Sequence, residues 1–132
     1  MIPTAESIIA FSLEPSVADF LKRIAEDAGF VATAIWSSIE DLENAVTLAR
    51  PSALIYEVGF PFAEKWEHFL AAFNRPAFAG MPIVIATPAS AEQCLRAGAA
   101  AALEILPRPT REQVTTAIRD ALTFPHLDTP AA

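Results

Sequence analysis

The histidines, the cysteine and the glycines of this chain are not spaced as in known catalytic or metal-binding motifs. The two histidines, His68 and His126, are far apart in the sequence, and Cys94 is the single cysteine. The four glycines do not form a phosphate-cradling motif. These spacings do not favour a metal site or a Ser-His-Asp triad. We expect His68 to be a solvated helix residue and Cys94 to pack in the core.

A few positions lie where the predicted strands end, and most of them are polar or charged. They are Ser12, Leu13 and Glu14 after the first strand, Glu57 at the end of the third, Thr87 at the end of the fourth and Arg108 after the fifth. In an open parallel sheet, ligands bind beyond the carboxyl ends of the strands. We therefore expect any functional site of this chain to lie among these residues.

The elements that would position this site alternate along the chain. Apolar runs predict strands at residues 7–11, 30–35, 53–58, 82–87 and 103–106. Five strands that alternate with helices predict one doubly wound parallel α/β sheet, with helices on both faces.

Start and stop signals place the helices between these strands. Pro15 and Gly29 bound the first helix, and the sequence Ser37-Ser38-Ile39-Glu40 has the capping-box pattern that starts the second. The third helix should bury Trp66, Phe69, Leu70 and Phe73, and an alanine-rich fourth helix should run from about Ser90 to Ala101. Thr110 should cap the fifth, with Val114, Ile118 and Leu122 inside.

Composition limits the possible classes of function. A chain of 132 residues with 53% hydrophobic residues suits one domain, which we assign to residues 1–124, with 125–132 as a tail or linker. The net charge of −7 argues against direct nucleic-acid binding. We find neither a membrane-spanning run nor a secretory signal, and the lone cysteine favours a reducing compartment, so we expect a cytoplasmic protein.

Four segments of the chain resemble the successive signature segments of response-regulator receiver domains. They are Glu14-Pro15-Ser16-Val17, residues 51–58 followed by Pro61, residues 82–87, and Leu106-Pro107-Arg108-Pro109. The resemblance covers about residues 7–122. It implies the flavodoxin-like strand order 2-1-3-4-5 and a role in two-component signal transduction rather than an enzymatic one.

The resemblance also implies that most phosphotransfer residues are replaced. The acid pair that helps to hold magnesium in receivers falls on Ser12 and Leu13, and the phosphorylated aspartate falls on Glu57. Since magnesium needs oxygen ligands, we expect its binding to be lost and the chain to have no cofactor. Glu57 is one methylene longer than aspartate, about 1.5 Å, so in-line phosphoryl transfer should fail as well.

The remaining positions of the family pattern are retained or altered in different ways. The hydroxyl residue is retained as Thr87, the lysine is replaced by Arg108, and Pro109 follows, whose peptide bond is usually cis in the family. The aromatic switch position falls on Ile105. We hypothesise that Arg108 forms an ion pair with Glu57 and that this pair holds the domain in one receiver conformation constitutively. The alternative is that the pair is a relic of a lost function.

These observations predict a degenerate receiver that works through protein contacts. Its partner would be a sensor kinase, an output domain, another signalling protein or a second copy, docked on the fourth helix, fifth strand and fifth helix. A second copy would form a symmetric homodimer. Phe60, Phe62 and Trp66 would form an exposed aromatic patch, or else cover the sheet edge. The alternatives are residual phosphoacceptor activity and small-molecule sensing on a flavodoxin-like fold.

Overall fold

The structure, a computed structural model, describes residues 6–88 and 90–123 and has the predicted alternation of strands and helices. The predicted tail at 125–132 and His126 lie outside these residues. The strands are β1 (Ser7–Phe11), β2 (Val31–Ile35), β3 (Ala53–Glu57), β4 (Ile83–Thr87) and β5 (Ala101–Glu104). The helices are α1 (Pro15–Asp27), α2 (Ile39–Ala49), α3 (Phe62–Ala72), α4 (Ala91–Ala97) and α5 (Arg111–Thr123), and a 3₁₀ turn spans Pro76–Phe78.

All strand pairs of the sheet are parallel, in the order β2-β1-β3-β4-β5. This is the order that the resemblance implied. Because successive side chains of a strand point to opposite faces, Ile8 and Ala10 pack on one side of the sheet and Ile9 and Phe11 on the other. Both faces are covered, which explains the near-continuous apolar runs in the sequence.

Each face of the sheet has its own hydrophobic core. One core packs α1 and α5 against the sheet, with Leu21 and Ile118 fully buried. The other packs α2, α3 and α4 and is rich in aromatic residues, among them Phe69 and Phe73, whose ring centroids are 4.7 Å apart. Among the described residues no helix is long and apolar enough to cross a membrane.

The prediction for the fourth helix and fifth strand is wrong. Helix α4 ends at Ala97, and Gly98 follows with φ 114°, a left-handed conformation that suits glycine at a helix end. Ala101 and Ala102, which we expected in or just after the helix, form the start of β5 and pair with Val84 and Ile85. Pairing with β4 overrides the helical propensity of the alanines.

Smaller differences concern caps and faces. The cap of α2 is Ser38, whose Oγ accepts a hydrogen bond from the backbone N–H of Asp41, one residue later than the predicted pattern. Leu70 is exposed rather than buried. Phe62 and Trp66 are buried and stack on each other, so the predicted exposed aromatic patch reduces to Phe60.

Candidate functional site

Two adjacent strands bring Ser12 and Glu57 together at the carboxyl edge of the sheet. In the parallel register of β1 and β3, Phe11 lies opposite Tyr56, so the residues that follow them are neighbours. The Ser12 hydroxyl is buried and donates a hydrogen bond of 3.1 Å to Oε1 of Glu57. The same hydroxyl accepts a 3.1 Å bond from the backbone N–H of Glu14. Ser12 thereby fixes both the loop after β1 and the Glu57 carboxylate.

A cleft of about 250 Å³ opens above this pair. Its walls come from the ends of β1 and β3, from the loops that follow them and from α3. They include Phe11, Ser12, Leu13, Glu14, Tyr56, Glu57, Gly59, Phe60, Lys65 and His68. The apolar side chains of Leu13 and Phe60 are 63% and 65% exposed at its rim. His68 is exposed, as expected, but it lies beside the site, which its sequence position did not reveal.

The Glu57 carboxyl is half-buried and only partly compensated. Burial raises its pKa above the ordinary 4.5, and the negative charge of Glu14 raises it further. The hydrogen bond from Ser12 and the positive charge of Lys65 act in the opposite direction. Among the described residues no cation lies within salt-bridge distance of Glu57. The carboxyl is therefore a poorly compensated charge at the sheet edge.

Gly59 leaves room for that carboxylate. A Cβ atom added at Gly59 would lie 2.8 Å from Oε2 of Glu57, closer than such contacts allow. Any other residue at this position would therefore push the carboxylate aside. The two-residue spacing from Glu57 to Gly59 is visible in the sequence, but the close approach is not.

Thr87 and Ile105 lie at the same edge, at the ends of β4 and β5. Thr87 is fully buried, and its backbone carbonyl accepts a hydrogen bond of 2.9 Å from the N–H of Ile105. Ile105 is buried at 7% exposure. Thr87 ends β4, as predicted, whereas Ile105 lies just after β5 rather than inside it. The roles of Thr87 and Ile105 as hydroxyl and switch residues stay predictions.

The predicted contact between Glu57 and Arg108 is wrong. The Arg108 guanidinium binds the carboxylate of Asp27 at the end of α1, and it lies 5.6 Å from the centroid of the Phe20 ring. Because β5 ends at Glu104, two residues earlier than predicted, Arg108 lies farther beyond the strand end. Leu106, rather than Arg108, lies beside Glu57, and the two residues line the same pocket.

The expected cis bond at Pro109 is also wrong. In the described part of the chain the cis peptide bonds are Phe60–Pro61 and Leu106–Pro107. Pro109 is buried in a trans linkage.

The loss of magnesium binding stays a prediction, and the chemistry of the residues at this edge supports it. Among the described residues no group of three His, Cys, Asp or Glu side chains could hold a metal. At the site itself the Ser12 hydroxyl already donates to Glu57, Leu13 offers no oxygen, and Lys65 brings a positive charge. Magnesium takes carboxylate oxygens in near-octahedral geometry, and Ser12 and Leu13 do not supply the acid pair that the resemblance implies at these positions.

The fold itself is that of known proteins. The chemotaxis protein CheY4 of Vibrio cholerae superposes with a TM-score of 0.66 at 16% identity, covering 90% of this chain and 100% of that one. A response regulator receiver domain protein from Clostridium thermocellum gives 0.56 at 17% identity, covering 89% and 94%. This chain has the receiver-domain fold. The CheY-like protein TadZ of Pseudomonas aeruginosa gives 0.60 at 20% identity, covering 88% and 98%.

No protein-family model matches this sequence, and no curated protein matches it either. The similarity of the structures therefore shows the receiver fold, and the function has to be inferred from the residues at the strand ends.

Proposed function

We propose that this chain is a non-enzymatic receiver-type signalling domain that acts by protein-protein contact in two-component-type signal transduction, without phosphorylation. Glu57 occupies the phosphoacceptor position. A cytoplasmic location suits this role, and the buried, unpaired Cys94 is consistent with a reducing compartment.

The observation that carries the proposal is the hydrogen bond from Ser12 to Glu57. The resemblance assigns Ser12 to a position where receivers have an acid, and here its hydroxyl donates a hydrogen bond to the Glu57 carboxylate. Phosphoryl transfer relies on charge neutralisation by a metal and on in-line alignment of the attacking oxygen. Leu13 and Leu106 line the two pockets that share Glu57 and offer neither a metal ligand nor a charge, so we expect neither requirement to be met.

The proposed docking face consists of α4, β5 and α5. A cleft of about 380 Å³ lies between these elements, and the acidic side chains of Glu104, Glu112 and Asp120 line it. Complementary charge steers association and selects partners. We therefore expect a partner that presents basic residues to this cleft, and the net charge of −7 disfavours a second copy of the chain on the same face.

A pull-down from the native cell tests this role. The bait is the full chain, with and without acetyl phosphate and magnesium. We expect the same partner at the same yield in both conditions. Charge reversal on the face, Glu112→Lys with Asp120→Lys, should abolish capture, because two of the three acidic groups of the cleft change sign.

A matched control separates the docking face from net charge. Glu64→Lys with Glu67→Lys makes the same change of charge on exposed residues of α3 and should leave capture intact. Capture that requires the phosphodonor would contradict the proposal and would instead indicate residual phosphoacceptor activity.

A further inference from the structure

A second, apolar pocket meets the functional site at Glu57. It has a volume of about 290 Å³, roughly ten water volumes. Its walls are Ser16, Val17, Phe20, Glu57, Pro88, Ile105 and Leu106. Apart from Ser16 and Glu57 these residues are apolar. Pockets lined by apolar side chains with one or two polar groups are typical of small-molecule sites.

The charge at this junction selects the kind of ligand. The Glu57 carboxyl is half-buried, receives one hydrogen bond from Ser12, and has no cation within salt-bridge distance among the described residues. Glu14 adds a second negative charge nearby, and Lys65 is the cation that faces them from α3. Anions such as phosphate esters are disfavoured here, whereas an added cation relieves the carboxylate.

Exposed apolar side chains surround Glu57 and continue the apolar lining of this pocket. Leu106 is 68% exposed beside Glu57, and Leu13 and Phe60 are comparably exposed across the carboxylate. Exposed apolar side chains around a concave site commonly mark a binding surface. They would contact the body of a ligand whose charged end reaches Glu57.

We propose that this site binds a small organic cation: a primary amine or guanidinium that carries an apolar group. The cationic end lies at Glu57, and the apolar group fills the pocket between α1 and the segment after β5. This proposal does not depend on the docking role of the α4-β5-α5 face, and it holds whether or not that face binds a protein.

Three probes of equal chain length test the proposal: n-hexylamine, hexan-1-ol and hexanoate. Backbone amide shifts of the isotopically labelled full chain are followed by NMR during each titration. We expect the amine to shift Ser12, Glu57 and Leu106 saturably and to bind at least about tenfold more tightly than the alcohol, because it alone can pair with the carboxylate. Hexanoate should bind more weakly than the alcohol.

Two variants assign the contacts. Glu57→Gln keeps the volume and an acceptor for Ser12, so it should fold, and it should reduce amine binding to the level of the alcohol. Leu106→Ser should weaken amine and alcohol alike. Leu48→Ser, at an exposed residue of α2 outside the pocket, should change neither.

Equal affinity for the amine and the alcohol, or amine binding that survives in Glu57→Gln, would overturn the proposal. Shifts confined to the α4-β5-α5 face would overturn it as well, while leaving the proposed docking role intact.

Discussion

Replacing Ser12 with alanine should lower the free energy of unfolding at neutral pH and lower it less in acid. The change removes the hydrogen bond to the Glu57 carboxylate and the acceptor for the Glu14 N–H. A bond to a charged group contributes about 1.5–3 kcal/mol and a neutral one about 0.5–1.5 kcal/mol. Because Glu57 is partly exposed, water offsets some of this loss. We expect a cost of about 2 kcal/mol, or a fall in Tm of roughly 6–10 °C.

The pH dependence follows from the direction of the pKa effects. The bond from Ser12 lowers the pKa of Glu57, so its loss raises that pKa beyond the increase that burial already causes. The stabilisation by Ser12 is therefore present above the pKa of Glu57 and is lost as the pH falls through it. Urea unfolding at pH 7 and at about pH 3.5, one unit below the ordinary glutamate value, measures the difference.

The Glu57→Gln background provides the control for this experiment. There the cost of Ser12→Ala should fall to that of neutral hydrogen bonds, about 1 kcal/mol, and should no longer vary with pH. Costs that add without coupling in the double-mutant cycle, or a cost that is equal at both pH values, would refute the assigned contact.

The contacts of Arg108, the close approach of Gly59 and the oligomeric state are each open to a direct test. The losses of stability caused by Arg108→Ala and Glu57→Ala should be additive in a double-mutant cycle. Those caused by Arg108→Ala and Asp27→Ala should couple by about 0.2–1 kcal/mol, as in other exposed ion pairs. Strong coupling between Arg108 and Glu57 would contradict the observed contacts. Gly59→Ala should displace the Glu57 carboxylate and lower the free energy of unfolding by about 1 kcal/mol. In the Ser12→Ala background the same change should lower it much less, because the hydrogen bond is already lost. Sedimentation of the wild type should not respond to phosphodonor and magnesium, and a change in oligomeric state would mean that the site still switches.

The strands and their order were predictable because each strand is buried on both faces. Ser7–Phe11 was predicted to the residue, and Ala53–Glu57 to within one. The exception is β5, where a run of alanines is compatible with either helix or strand. Only the pairing of Ala101 and Ala102 with β4 decides between them.

The site was predictable in part. The strand-end rule brought Ser12, Glu57 and Thr87 to one edge because parallel strands end together. It failed for Arg108, whose position depends on where β5 stops. It also missed Leu106 and Lys65. Lys65 lies in the first turns of α3, which starts just after β3, so its position near Glu57 could have been inferred from the helix start.

Intact mass spectrometry after treatment with acetyl phosphate and magnesium tests the central claim most directly. A matched control is the variant with Ser12→Asp, Leu13→Asp, Glu57→Asp and Leu106→Lys, which supplies the acids of the family pattern and places a lysine beside residue 57. Because phosphoryl transfer needs a metal and an aligned acceptor, we predict an unchanged mass for the wild type and partial labelling of this variant. A wild-type adduct of about 80 Da, one phosphoryl group, would contradict the account of a receiver fold that signals without phosphorylation.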